Sequence, residues 1–325
     1  MKNALTSWSS ACEGSGALRF LDACLRGIGQ VMFQDNPLSG ALFIAAIAWG
    51  SFAAGAPQVL FAGLLAVVVA TLTAHWLRVD DAGLRTGLYG YNGVLVGLAL
   101  ATFVAPGALL WMYVVLGAMV SVVVTRGAMK AGQPWGLAAL TAPFVLVTWL
   151  LLLGTYGLAG LAGEGLPGGA TIVPFEPAAA PEAGMAEFLQ GTLLSISQVF
   201  LKGSVVAALL VLAGLAVASP AAAGFALAGA VIAVFTAHLF GAESDLVTGG
   251  LLGFSPVLTA IALGTVFYKP SLRVALYAAL GTVFTVFAQA AFNVALSPLA
   301  IPALTAPFVL VTWLFLLPKQ ALEPA

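Results

Sequence analysis

The sequence predicts an all-α integral membrane protein, an inverted repeat of two five-helix halves. Three observations predict it. The chain has 325 residues, 62% of them hydrophobic and only 7% charged, against roughly 25% charged in soluble domains. Such a chain cannot cover a water-facing surface. Its apolar residues gather in ten runs, five on each side of a break rich in Gly, Pro, Ala and Glu. Finally, the eleven residues Leu140 to Leu150 return letter for letter as Leu304 to Leu314, which marks an internal duplication.

In chain order, the first 30 residues carry Glu13, Arg19, Asp22 and Arg26 and no apolar core, so no cleaved signal peptide is expected. Cys12 and Cys24 have no histidine nearby, and neither a disulfide framework nor a metal site is expected. Residues 18–35 mix apolar side chains with four charges. They cannot cross lipid in the open, but they can enter half-way behind a shield of protein. Apolar runs follow at about 38–55, 57–77, 87–105, 107–125 and 136–160. A spanning helix needs about 20 apolar residues, so these read as five spans. Residues 161–187 have linker composition. A second short segment at 186–202 precedes runs at about 203–219, 221–240, 250–267, 273–290 and 303–318. The expected organisation is a first half at 1–160, an extracytoplasmic linker at 161–187 and a second half at 188–325.

The restart is visible residue by residue. Phe188-Leu with Gln198-Val answers Phe20-Leu with Gln30-Val, and Thr236-Ala-His238 answers Thr73-Ala-His75. Leu252 to Leu258 answers Tyr89 to Leu95. Matched positions stay 163 to 168 residues apart, so the whole half is duplicated.

Charge placement gives the topology. With Arg78 and Arg85 in the cytoplasm, Arg126, Lys130, Lys269, Arg273 and Lys319 fall on the same side. The linker and the loop with Glu243 and Asp245 fall outside, and both termini inside. Five spans per half then give the halves opposite orientation, the arrangement of many transporters.

Apart from Arg273, the first residue of its run, no Asp, Glu, Lys or Arg lies within the ten runs. Ion pumps and proton-coupled carriers usually need such a group; a path for a neutral solute does not. The net charge of -1 also argues against nucleic acid as a partner. The remaining polar groups are hydroxyls, amides and two histidines. Each doubled stretch holds a threonine two residues before a proline, Thr141/Pro143 and Thr305/Pro307. A proline within a helix frees the carbonyl four residues earlier. If helix continues through each break, those carbonyls belong to Ala139 and Ala303. Threonine often bonds back to its own helix, but duplication in opposed halves favours a pore lining. Tyr91/Leu95 and Phe254/Leu258 pair an aromatic with a leucine one turn on, and Gln30/Phe33 answers Gln198/Leu201. These read either as core packing or as an apolar slot with an amide at its mouth. His75 and His238 sit at span ends, where structural histidines are common.

Gln30 to Gly40, Gly87 to Gly93 and the doubled Leu-Thr-Ala-Pro-Phe resemble the urea transporters, over nearly the whole chain. The resemblance implies ten transmembrane helices plus two half-spanning re-entrant ones, assembled as a homotrimer in a bacterial inner membrane. Each protomer then has its own selectivity filter and passes urea passively, without a cofactor. The motif match places the middle of the filter on Thr141 and Thr305, with Leu95 and Leu258 beside them. It places aromatic walls at Tyr91, Phe254 and Phe33, amides at Gln30 and Gln198, and Val199 and Leu201 in the second-half slot. An ammonia or short-amide channel is the alternative, and an ion-coupled small-solute transporter a further one. The runs contain no His-Glu zinc motif, Ser/His/Asp set or paired carboxylates, so an enzyme is not expected.

Overall fold

The computed structural model describes residues 2–158, 184–318 and 322–324. Most of the linker expected at 161–187 lies outside these residues. An N-terminal helix, α1 (Lys2–Gly14), comes first. Seven helices follow: α2 (Gly16–Gln30), α3 (Pro37–Ala53), α4 (Pro57–Trp76), α5 (Asp81–Arg85), α6 (Tyr91–Phe103), α7 (Ala108–Gly132) and α8 (Ala142–Gly157). The succession then repeats as α9 (Met185–Ser197), α10 (Val205–Ala218), α11 (Pro220–Leu239), α12 (Ser244–Thr248), α13 (Phe254–Ile261), α14 (Leu272–Leu296) and α15 (Ala306–Leu316).

The repeat extends to backbone detail. The pairs α4/α11, α5/α12 and α7/α14 match in length, at 20, 5 and 25 residues. Left-handed residues also come in pairs: Phe33/Leu201, Arg78/Gly241, Gly87/Gly250, Gly136/Ala300 and Leu140/Leu304. Only glycine takes this conformation freely. Finding Leu, Phe and Ala in it at matched places means the surrounding structure imposes it twice.

Helix starts are written in the sequence. Asn36 accepts from the backbone N–H groups of Leu38 and Ser39, ahead of Pro37. Ser204, Ser219 and Ser271 cap α10, α11 and α14 in the same manner. Two of the three charges of α2 are paired locally, since Arg26 meets Asp22 at 2.6 Å and also Asp35 at 2.7 Å, and the third, Arg19, is exposed. Such pairing suits a segment that does not cross lipid in the open.

All ten expected runs contain helix, but most are shorter than a full span. Among the described residues, Pro57–Trp76, Ala108–Trp135, Pro220–Leu239 and Leu272–Leu299 are each long and apolar enough to cross a membrane. The pair Met185–Phe200 and Val205–Ala218, bent by 71°, makes a fifth or a re-entrant turn. In the runs at 87–105, 136–160, 250–267 and 303–318, helix begins only at Tyr91, Ala142, Phe254 and Ala306. The residues before it form turns and irregular backbone, which survives among apolar helices only when protein covers it. Helix α1 has no counterpart in the expected elements. It packs on α2 by a bond from Trp8 Nε1 to Asp22 at 2.6 Å.

The two successions meet along α3 and α10. Ser39, at the start of α3, donates to the Gly214 carbonyl late in α10 at 2.7 Å. Gly50, near the end of α3, lies against the stem of Lys202, just before α10. The two helices therefore run antiparallel. Close approach also holds α2 against α3, because a Cβ on Gly40 would sit 1.9 Å from the Leu25 carbonyl oxygen. Gly40→Ala is expected to lower the thermal midpoint of the detergent-solubilised protein, by an overpacking cost of about 1–3 kcal/mol. Gly224→Ala, with no atom within 4 Å of the added methyl, should leave the midpoint unchanged or slightly raised. Equal melting of the two variants would contradict this packing.

Candidate functional site: two cavities that meet at a threonine pair

The doubled stretch shapes the site at both its ends. Helix does not run through Pro143 and Pro307. It starts there, with each proline in the first turn of α8 or α15, where its missing N–H costs nothing. The carbonyls of Ala139 and Ala303, expected to be freed, instead accept turn bonds from Ala142 N and Ala306 N at 3.2 Å. What precedes each helix is the left-handed Leu140 or Leu304, with φ of 49° and 51°. Left-handed conformation costs a non-glycine residue roughly 1–2 kcal/mol.

That kink turns Thr141 and Thr305 toward each other. Both stand at N-cap positions, with φ/ψ of -90°/15° and -93°/18°, and neither side chain caps its own helix. Their hydroxyls are 2.6 Å apart and hydrogen-bonded. Both residues are buried. Two helix N-termini therefore meet here, each carrying orphan N–H groups and partial positive charge.

A cavity of about 780 Å³ reaches Thr141, and one of about 270 Å³ reaches Thr305. Gln30, Phe33 and Tyr91 line the first; Gln198, Val199, Leu201 and Phe254 line the second. Each also borrows from the other half. Phe308 and Val266 border the first cavity, and Phe144 and Phe103 the second. Nine of the eleven residues expected from the sequence thus border one cavity or the other. Leu95 and Leu258 are each 1% exposed, one turn behind Tyr91 and Phe254, and border neither cavity.

The amides are fixed alike. Gln30 Nε2 donates to the Thr86 carbonyl and Gln198 Nε2 to the Gly249 carbonyl, each at 3.0 Å. Each bond uses one of the amide's two N–H groups and leaves its oxygen free as an acceptor. Leu201 stands where the first half has Phe33, yet both hold the left-handed turn, at 58° and 63°.

Several residues of the site carry no flag in the sequence reading. Trp149 Nε1 donates to the Pro302 carbonyl, and Trp313 Nε1 to the Ala138 carbonyl, both at 2.9 Å. Each tryptophan belongs to one doubled stretch and pins the irregular segment ahead of the other. Its place inside the duplication was the available signal. Asn92 accepts from Phe144 N at 3.1 Å, satisfying an orphan donor of α8, and donates to Thr125 at 3.1 Å. Arg126 and Lys130 border the first cavity; Gln289 and Asn293 hold the matching places at the second. In the loop before α6, Tyr89 donates to Asp80. That bond, with one from Gly83 N–H, holds the Asp80 carboxyl below its usual range. His75 and His238 are exposed at the ends of α4 and α11 and border neither cavity.

Trp149→Phe and Trp313→Phe each remove the donor from a carbonyl at the site. Trp149→Phe, which breaks a part-buried bond, is expected to destabilise the protein by about 1–3 kcal/mol, read as a lower melting midpoint in detergent. The loss at Trp313 should be the smaller, because its bond is exposed and water can replace the indole. Wild-type melting of either variant would show that its indole only fills space.

The sequence model of the family described as "UT: Urea transporter" matches residues 21–320. The chain is 28% identical over 304 residues to a sheep (Ovis aries) protein named Urea transporter 1, covering 93% of this chain and 77% of the relative. It is 29% identical over 303 residues to the rat (Rattus norvegicus) protein of the same name, covering 92% and 77%. Through a match spanning both helix successions and both cavities, the chain belongs to the urea transporter family.

Proposed function

We propose that the protein passes urea down its concentration gradient, through the two cavities and the threonine contact between them. As a member of a transporter family, the chain is not an enzyme. The observation that carries the reading is the junction itself: two buried hydroxyls, on the starts of two facing helices, where the cavities meet.

Urea is flat, neutral and strongly polar, with N–H bonds in its plane. Entering a dry constriction removes water from those donors, which costs several kcal/mol if nothing replaces it. Oxygen acceptors replace it, each bond contributing about 1 kcal/mol net. Gln30 and Gln198 line the cavities and offer amide oxygens, and the hydroxyls of Thr141 and Thr305 meet between the cavities. Tyr91, Phe33 and Phe254 supply flat walls. A passing urea takes the place of the Thr141–Thr305 bond, donating to the hydroxyls while its carbonyl faces the helix N-termini. The same N-termini repel cations. No coupling ion is required, because the solute carries no charge.

The repeated order of helices, the antiparallel α3 and α10 and the reciprocal tryptophan bonds support an inverted repeat with ten membrane helices and two re-entrant ones. Arg126 and Lys130, bordering the larger cavity, support a reading in which that cavity opens to the cytoplasm, in a bacterial inner membrane with both termini cytoplasmic. On this reading Leu95 and Leu258 back the slot from behind, and the protomers assemble as a homotrimer. The ammonia-channel alternative loses its candidate residues with the exposed histidines.

Thr141→Val and Thr305→Val keep shape and delete the hydroxyls. Each is expected to lower urea permeability roughly fivefold, as loss of one hydrogen bond implies, while the protein stays folded. Stopped-flow urea flux in proteoliposomes at the wild-type rate would sink the assignment.

A further inference from the structure

The two halves of the constriction differ in what holds the carbonyl just ahead of each threonine. In the first half, Tyr91 Oη donates to the Leu140 carbonyl at 2.6 Å, and Asn92 Nδ2 approaches the same oxygen at 3.4 Å. Both acceptor positions of that carbonyl are therefore occupied. In the second half the matching residues are Phe254 and Ser255. Phenylalanine has no donor, and Ser255 donates its hydroxyl to Gln289 at 2.6 Å. Neither reaches the Leu304 carbonyl with a hydrogen.

The hydroxyl is not needed to shape the turn. Leu304 holds φ of 51° without it, against 49° at Leu140. Thr305 and Thr141 match within a few degrees, and both helices begin at the next residue. The Tyr91 hydroxyl adds no backbone geometry that the second half lacks.

We propose that Tyr91 makes the two cavities unequal for solute. Its phenol occupies the Leu140 carbonyl, so the Leu140 side offers one acceptor fewer at the constriction than the Leu304 side. This inference rests on the proposed urea path and names the side on which a urea N–H gives up water with less in return. If stripping those donors sets the barrier, the Leu140 side limits passage. Tyr91 is then a specificity-determining residue, acting through the carbonyl it covers. A solute with fewer N–H groups feels the difference less.

The test uses the full-length protein in proteoliposomes: wild type, Tyr91→Phe, Phe254→Tyr and the double variant. Urea and formamide fluxes are followed by stopped-flow light scattering. Freeing the Leu140 carbonyl should raise urea permeability about fivefold, the equivalent of one ordinary hydrogen bond, and formamide permeability less. Phe254→Tyr should cover Leu304 and lower urea permeability by a similar factor, and the double variant should return toward wild type. Urea flux through folded Tyr91→Phe at or below the wild-type rate overturns the proposal. So does a Phe254→Tyr variant as fast as wild type, which decides the matter if Tyr91→Phe does not fold. Wild-type liposomes no more permeable to urea than empty ones would remove the urea path and this inference together. Permeable wild type with unaltered variants removes this inference alone.

Discussion

A single hydrogen bond, between the hydroxyls of Thr141 and Thr305, sits where everything else in this protein converges. Two helices cannot begin deep inside apolar surroundings without leaving N–H groups unpaired, and unpaired groups there are costly. Sequence and fold meet that cost in stages. Proline occupies a first-turn position where no donor is needed. Asn92 takes the N–H of Phe144. The irregular residues ahead of each helix are held by an indole from the opposite half. What remains at the centre is the contact that, on the proposed reading, a small polar solute replaces.

The same constraint explains the strain. Leu140 and Leu304 adopt a conformation that leucine disfavours, and they do so in both halves. A relaxed turn would aim the threonines elsewhere. Strain of this kind persists only where packing over-determines it, and it gathers at functional positions. Its recurrence 164 residues later argues that the kink is part of the pore.

Much of this was legible in the sequence because duplication carries its own evidence. A repeated eleven-residue stretch identifies Thr141 and Thr305 without any structural knowledge, and the spacing of matched residues locates Gln30 with Gln198 and Tyr91 with Phe254. The apolar runs were also legible, since hydrophobicity is a local property. Helix starts inside those runs were not. Pro143 reads equally as a break within a helix or as the first turn of one, and only the cover provided by distant residues decides between them. Asn92 and the two tryptophans were missed for the same reason, because their partners lie 52 and 153 or more residues away. The motif match sets Leu95 and Leu258 beside the threonines, one turn after the aromatics. Both are buried and border neither cavity.

The central claim is that the two threonines face each other across the path of the solute. Replacing both with cysteine, in a background where Cys12 and Cys24 are alanine, tests it most directly. Oxygen atoms 2.6 Å apart put two sulfurs within reach of a disulfide. Oxidation should abolish urea flux in proteoliposomes, and a reductant should restore it. A disulfide that forms and leaves urea flux intact would contradict the account, as would failure of the pair to cross-link.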